Sequence, residues 1–208
     1  MSNLLQYGYQ EIPNLISIEE AKKIKEYDYN LLIRDKIKIT FEEQRGPVYT
    51  GYKPYSTSFI MKRVQPILEN MVGEELLPAY WFTTIYHHNS FMVNHIDRPS
   101  CEISVSLNIH SEQDWPLYFE DLNKNKVGCI TGIGQAVAYL GDRCYHWREP
   151  LKSRIFGERY MQSFLHFVRK NGRFSEFKND KIGHNKSLDN AYSMDTNRFR
   201  KENAHWIG

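Results

Sequence analysis

Within the stretch MVNHIDRPSCEISVSLNI, His95 and Asp97 stand two residues apart. On an extended segment, residues i and i+2 point to the same side, so one imidazole and one carboxylate reach the same ion. A third ligand is offered by His146 in YLGDRCYHWREP. Two histidines and one carboxylate on one face of an octahedron leave three adjacent positions open, a donor set suited to non-haem iron(II). Those positions would accept a bidentate oxo-acid and O2. A lone His-x-Asp is weak evidence for a metal. Here the triplet precedes a strictly alternating segment, and His146 follows the strand-like QAVAYLGD.

A second carboxylate on such an acid requires a fixed cation. Arg159 opens the β-rich segment RYMQSFLHFV, and a guanidinium binds a carboxylate bidentately without losing its charge. In an extended segment Arg159, Met161, Ser163, Leu165 and Phe167 share one face. Ser163 would then hydrogen-bond near the bound acid, and the apolar neighbours would keep it dry. Lys152 and Arg154 are alternative anchors, and an exposed strand-end charge is the commoner fate of an arginine. His166 falls on the opposite face and reads as structural. Arg98, directly after Asp97, and Arg148, two past His146, are candidates to hold an acidic substrate group or a carboxylate such as Glu102. Ordinary salt bridges account for both equally well. Trp115 and Trp147 could wall the pocket, and core aromatic packing is the simpler reading.

These groups need a scaffold. Ser17 followed by Glu20 makes a capping box, and Ile18, Ala21, Ile24 and Tyr27 share a face, so a helix starts there. Residues 38–57, rich in Tyr, Gly and Pro, read as a long loop. A second helix is predicted from Ser58 to Val72, ending at Gly73 and kinked or split by Pro66. After Pro78 the pattern turns to strands: 79–88, 103–109, 115–120, 126–131, 135–140 and 159–168. In 103–109, Ile103, Val105, Leu107 and Ile109 alternate with Ser104, Ser106 and Asn108, as in a half-buried strand. Strands joined by short turns predict an antiparallel sandwich or barrel over about 79–170. Residues from Gly172 onward are polar but keep Phe174, Phe177, Tyr192, Phe199 and Trp206. They read as an extension that is either mobile or docked.

With 208 residues, 41% of them hydrophobic and 14% aromatic, one folded domain is expected. A formal net charge of +2 and the lack of a clear basic stripe argue against a nucleic-acid partner. No 18-residue apolar run argues for a membrane span, and the N-terminus does not read as a secretory signal. Cys101, Cys129 and Cys144 cannot all pair within one chain and match no zinc spacing. Reduced thiols and a cytoplasmic location are the simplest expectation.

NHID, GDRCYHWREP and GERYMQSFLHFV resemble the His-x-Asp…His…Arg pattern of the prolyl-4-hydroxylase-like branch of the iron(II)/2-oxoglutarate dioxygenases. The resemblance covers about residues 79–170. It implies a mainly β fold, a double-stranded β-helix (a jelly roll, as in cupins), with supporting N-terminal helices. The expected organisation is one domain over 1–171, with helical support to 78 and a jelly-roll core from 79, followed by a polar extension over 172–208. By motif position His95, Asp97 and His146 resemble the iron ligands and Arg159 the anchor of the 2-oxoglutarate carboxylate. Tyr86 resembles a tyrosine that hydrogen-bonds the same carboxylate. The implied cofactors are Fe(II), 2-oxoglutarate and O2, and the implied activity is C–H hydroxylation of a small molecule or of an amino-acid side chain in a peptide or protein. Asp97 stands where halogenating relatives carry a small residue, which favours hydroxylation. The His146-to-Arg159 spacing is longer than usual, which keeps Arg154 in play. A nucleic-acid demethylase on the same core and a non-enzymatic cupin-like metal- or ligand-binding protein are the alternatives.

Overall fold

The structure is a computed structural model that describes residues 2–34, 40–52, 57–152 and 159–180. Its helices form where local chemistry dictates. In α2 (Ile18–Arg34), the Ser17 hydroxyl accepts from the Glu20 amide at 3.1 Å while the Glu20 carboxylate accepts from the Ser17 amide at 2.9 Å. This is the reciprocal satisfaction expected of a capping box. Ala21 and Ile24 are buried, whereas Ile18 is 58% exposed and takes no part in the core. Helix α3 (Ser58–Val72) ends at Gly73, whose φ of 76° lets its amide reach the Glu69 carbonyl. Pro66 lies inside α3 without splitting it. A short α1 (Asn3–Tyr7) precedes both.

Eleven described strands follow in chain order: β1 (Tyr9–Ile12), β2 (Thr40–Glu42), β3 (Gly46–Tyr52), β4 (Leu76–Tyr86), β5 (Met92–His95), β6 (Ile103–Ser111), β7 (Leu117–Glu120), β8 (Lys126–Cys129), β9 (Ala136–Tyr139), β10 (His146–Arg148) and β11 (Tyr160–Arg169). They form a seven-stranded sheet in the order β1-β9-β6-β11-β4-β3-β2 and a four-stranded sheet in the order β5-β10-β7-β8. All pairings are antiparallel. From β4 onward the chain crosses repeatedly between the two sheets, which makes the fold a double-stranded β-helix. The stretch expected to be a loop, 38–57, contributes β2 and β3, which extend the large sheet beside β4. Its Tyr and Thr residues are ordinary strand formers, and Gly46, at φ 71°, opens β3 directly after the turn from β2. β1 likewise comes from the N-terminal part and pairs with β9.

Strand β6 was expected to be half-buried, yet both of its faces are buried from Ile103 to Ile109. Ile103, Val105, Leu107 and Ile109 meet the apolar core beside α2 and α3. Ser104, Ser106 and Asn108 face the interior between the sheets, where Ser104 meets His166 and Asp97. The polar half of the alternation therefore lines a site instead of facing water. Among the described residues, no helix is long and apolar enough to cross a membrane, and all three cysteines are buried and free.

One buried ion pair ties the residue just before β6 to the end of β11. Glu102 is 3% exposed and accepts from the Arg169 backbone amide at 2.9 Å and from its guanidinium. Breaking such a pair leaves a buried charge without its partner. Glu102→Ala is expected to lower the unfolding free energy by about 3 kcal/mol, and Ser17→Ala by about 1 kcal/mol. Urea denaturation followed by circular dichroism checks both, and equal losses would count against a buried network at Glu102.

Candidate metal centre

The three sequence candidates for metal ligation come together. His146 at the start of β10 lies in register with His95 at the end of β5. Their ring centroids are 4.2 Å apart. The paired positions His146–His95 and Arg148–Met92 place three steps of β5 against two of β10, a bulge that re-aims the side chain at the strand end. Asp97 follows, with its amide donating to the Gly141 carbonyl at 2.8 Å. Its Oδ1 lies 3.3 Å from His95 Nε2 and 3.7 Å from His146 Nε2. One ligand atom from each of the three lies within 4.8 Å of the others.

Orientation is set from behind. His95 Nδ1 lies 2.8 Å from the Val93 carbonyl and His146 Nδ1 lies 3.0 Å from the Cys144 carbonyl. A carbonyl only accepts, so each Nδ1 carries the proton and each Nε2 lone pair points at the common centre. Ser104 donates to Asp97 Oδ2 at 3.2 Å, leaving Oδ1 toward the imidazoles. Burial alone would raise the Asp97 pKa, but the charges of His146 and His95 and the hydrogen bond from His95 hold it below the usual carboxylate range. For His95, burial is outweighed by Asp97, and its pKa is raised. Burial and the neighbouring His95 push His146 down to about 4. The set thus holds one anionic carboxylate and at least one neutral imidazole at neutral pH.

A second cluster, Asp97, Cys101 and His166, shares the carboxylate. It suits a metal less well. Burial pushes the Cys101 thiol pKa far up, and His166 Nδ1 is engaged by Ser104 at 2.8 Å. Sequence parity placed His166 away from the site. The register instead puts Tyr160, Gln162, Phe164 and His166 on the interior face of β11, opposite Tyr86, Thr84, Phe82 and Tyr80 of β4. Burial pushes His166 down to about 4, so it lines the centre as a neutral imidazole.

The same register corrects Ser163. Its hydroxyl is 2.8 Å from that of Thr83, on the face turned away from the candidate metal ligands, whose neighbours Met161, Leu165 and Phe167 belong to the apolar core. Arg159 lies just ahead of β11 and is partly buried, in sequence phase with Ser163 rather than with His166. Arg154 falls outside the described residues. Tyr86 is fully buried on the interior face, edge-on to Trp115 at 5.0 Å. Arg98 pairs with Asp180 at 2.8 Å and lies over the Tyr80 ring at 4.7 Å, so its charge is met within the chain. Glu102 pairs with Arg169, and Arg148 bonds to Trp115 and Gln162 instead; it points into the barrel on the same side of β10 as His146. Trp147 faces outward and stacks on Tyr118 at 5.6 Å. Sequence reading missed the polar lining of Arg45, Ser104, Asn108 and Gln162. Its signal was the Ser-x-Ser-x-Asn alternation of β6, read there as a solvent face.

No family model matches this chain, and no curated protein matches it in sequence. Solved structures do resemble it. A prolyl-4-hydroxylase of Pseudomonas putida superposes with a TM-score of 0.60 at 12% identity, covering 80% of this chain and 95% of that one. HygX from Streptomyces hygroscopicus, solved with nickel and 2-oxoglutarate bound, gives 0.60 at 8% identity over 81% and 85%. The nogalamycin-biosynthesis epimerase SnoN, in complex with Fe3+, alpha-ketoglutarate and nogalamycin RO, gives 0.66 at 9% over 80% and 81%. At such identities the likeness establishes a shared fold, the jelly roll of the 2-oxoglutarate oxygenases.

Proposed function

We propose that this chain is an iron(II)- and 2-oxoglutarate-dependent dioxygenase that hydroxylates a C–H bond of a small molecule or of an amino-acid side chain. The observation that carries the proposal is the convergence of His95 Nε2, His146 Nε2 and Asp97 Oδ1, each held from behind by a backbone carbonyl or a hydroxyl. The donor set fits a divalent first-row ion, with oxygen and imidazole ligands on one side. The fold shared with SnoN in complex with Fe3+ and alpha-ketoglutarate and with HygX bound to nickel and 2-oxoglutarate supports the same reading.

When bound, iron(II) with 2-oxoglutarate supplies O2-dependent C–H oxidation coupled to decarboxylation to succinate and CO2. The chain's own part is positional. His95, Asp97 and His146 would hold the ion; Val93, Cys144 and Ser104 fix their orientation. The aromatic wall of Tyr80, Phe82 and Phe164, with ring centroids 6.1 and 4.9 Å apart along the row, excludes water from one side. A cupin-like binding protein would share the fold and the metal set, but would have no need of a dicarboxylate anchor. The modest net charge gives a demethylase of nucleic acid no specific support. A cytoplasmic, reduced environment accords with three buried free thiols.

Three outcomes are expected. Anaerobic addition of iron(II) and 2-oxoglutarate to metal-free protein should produce a weak visible absorption band that needs both additions, and admitting O2 should yield succinate. His95→Ala should abolish the band; a folded, metal-binding wild type with neither band nor succinate would favour the binding-protein alternative. Gly141→Ala tests the Asp97 seat, since a Cβ there would lie 2.3 Å from the Cys101 carbonyl and 2.5 Å from Asp97 Oδ2. It should weaken metal affinity by roughly 10-fold or more, as displaced supporting groups do. Metal affinity should also depend on pH. A protonated His95 cannot ligate, and its pKa is raised, so calorimetric affinity should fall as the pH drops through and below a point above the ordinary imidazole value. A flat profile from pH 8 to 6 would count against His95 as a ligand.

A further inference from the structure

Arg148 is the second interior-facing residue of β10, 1% exposed. Its guanidinium donates to the Trp115 carbonyl and, at 2.9 Å, to Gln162 Oε1. It lies over the rings of Trp115 and Tyr160 at 4.5 and 5.1 Å. Among the described residues it has no carboxylate partner, and its Nε has no hydrogen-bond partner. A guanidinium never loses its charge in a protein, and an uncompensated buried charge is costly, so this position calls for an anion. Among the described residues, neighbouring groups do not provide one. Burial raises the pKa of both Tyr86 and Cys129, which feel its field, so both are neutral. Arg45, the other interior guanidinium near Tyr86, is already met by Glu42 and Thr84.

Around Arg148 the interior is short of partners as well. Among the described residues, the Tyr86 hydroxyl makes no hydrogen bond of normal geometry, and Gln162 Nε2 and Asn108 Oδ1 have none. Tyr86 and Gln162 offer an O–H and an N–H, the donors a carboxylate takes. Two residues along a strand span roughly 6.6 Å, so Arg148 stands from the His146 position by about the length of a five-carbon dicarboxylate. The interior phase of β11, where the family resemblance would seat an arginine, carries Tyr160 and Gln162 instead.

We propose that Arg148, with Gln162 and Tyr86, binds the second carboxylate of the 2-oxo dicarboxylate, placing the anchor on the strand of the distal histidine rather than at Arg159. This rests on the reading of the site as a 2-oxoglutarate oxygenase. Two of the five guanidinium N–H groups are engaged by described residues, and Nε–H has no partner among them, which leaves an edge of the guanidinium for bidentate contact. Tyr86 contributes a hydroxyl donor on the β4 side, and Gln162 both holds the guanidinium plane and offers its amide.

The test is calorimetric binding under anaerobic conditions to the full chain loaded with manganese(II). The probes are 2-oxoglutarate and 2-oxopentanoate, which has the same carbon chain without the second carboxylate. Wild type should prefer the dicarboxylate by at least about 10-fold, the scale of charge-assisted hydrogen bonds. Arg148→Met should erase the preference while manganese affinity stays unchanged, Arg148→Lys should retain part of it, and Arg159→Leu should keep it. Should Arg148→Met fail to fold, Tyr86→Phe and Gln162→Leu decide, each expected to weaken 2-oxoglutarate about 3- to 30-fold with 2-oxopentanoate unaffected. Full preference in a folded Arg148→Met, or in both Tyr86→Phe and Gln162→Leu, overturns the assignment, as does its loss in Arg159→Leu. Wild type that binds manganese but neither acid would instead overturn the oxygenase reading, and the anchor with it.

Discussion

The buried carboxylate of Asp97 is the constraint around which the rest is arranged. A carboxylate out of water is expensive unless cations and donors surround it. Here two imidazoles on one side and the Ser104 hydroxyl on the other meet it. Its backbone is pinned to Gly141, where any larger residue would collide with it. The two histidines arrive only because β5 and β10 pair with His95 opposite His146. Since strand side chains alternate, a slip of one residue would turn His146 outward and bring Trp147 in. The bulge in β5 fixes that register and aims the strand end at the centre.

From this constraint follows the unusual use of the large sheet. An interior proposed to hold an ion cannot be wholly apolar, and β6 and β11 carry polar residues on their inner faces: Ser104, Ser106, Asn108, Gln162 and His166. The apolar area a stable fold needs is moved to the outer face, where Ile103, Val105, Leu107, Met161, Leu165 and Phe167 join the core that includes Ile24, Ile60, Val64 and Leu68. The helices are therefore the cover that lets the barrel interior stay polar, not an accessory to it. Several interior polar atoms make no hydrogen bond within the described residues. Such atoms weaken a fold unless a ligand or solvent meets them, which accords with the binding role proposed for this interior.

Much of this was legible in the residues. The capping box, Gly73, the strand segments and the His-x-Asp signal depend on local spacing, and local rules apply before any tertiary contact forms. The hairpin of β2 and β3 was not legible, because its Tyr, Gly and Pro content serves loops and edge strands alike, and only pairing with β4 separates the two. The alternation of β6 was read correctly in period and wrongly in meaning. A polar face buried against a site looks in sequence the same as a polar face in water.

Ser163, His166, Arg159 and Arg148 show where that boundary lies. The sequence alone determined which residue types were present, which of them shared a strand face, and that His95, Asp97 and His146 were chemically able to hold one ion. It could not determine which of the two faces of β11 looked inward, because parity along a strand is relative and needs a partner to become absolute. Pairing with β4 and β6 decided it, turning His166 and Gln162 in and Ser163 out. The same packing brought Arg148, separated in sequence from Tyr86, Trp115 and Gln162, into their company. Proximity between distant segments is a property of the folded chain, and the charge of a guanidinium acquires its meaning only when what surrounds it is known.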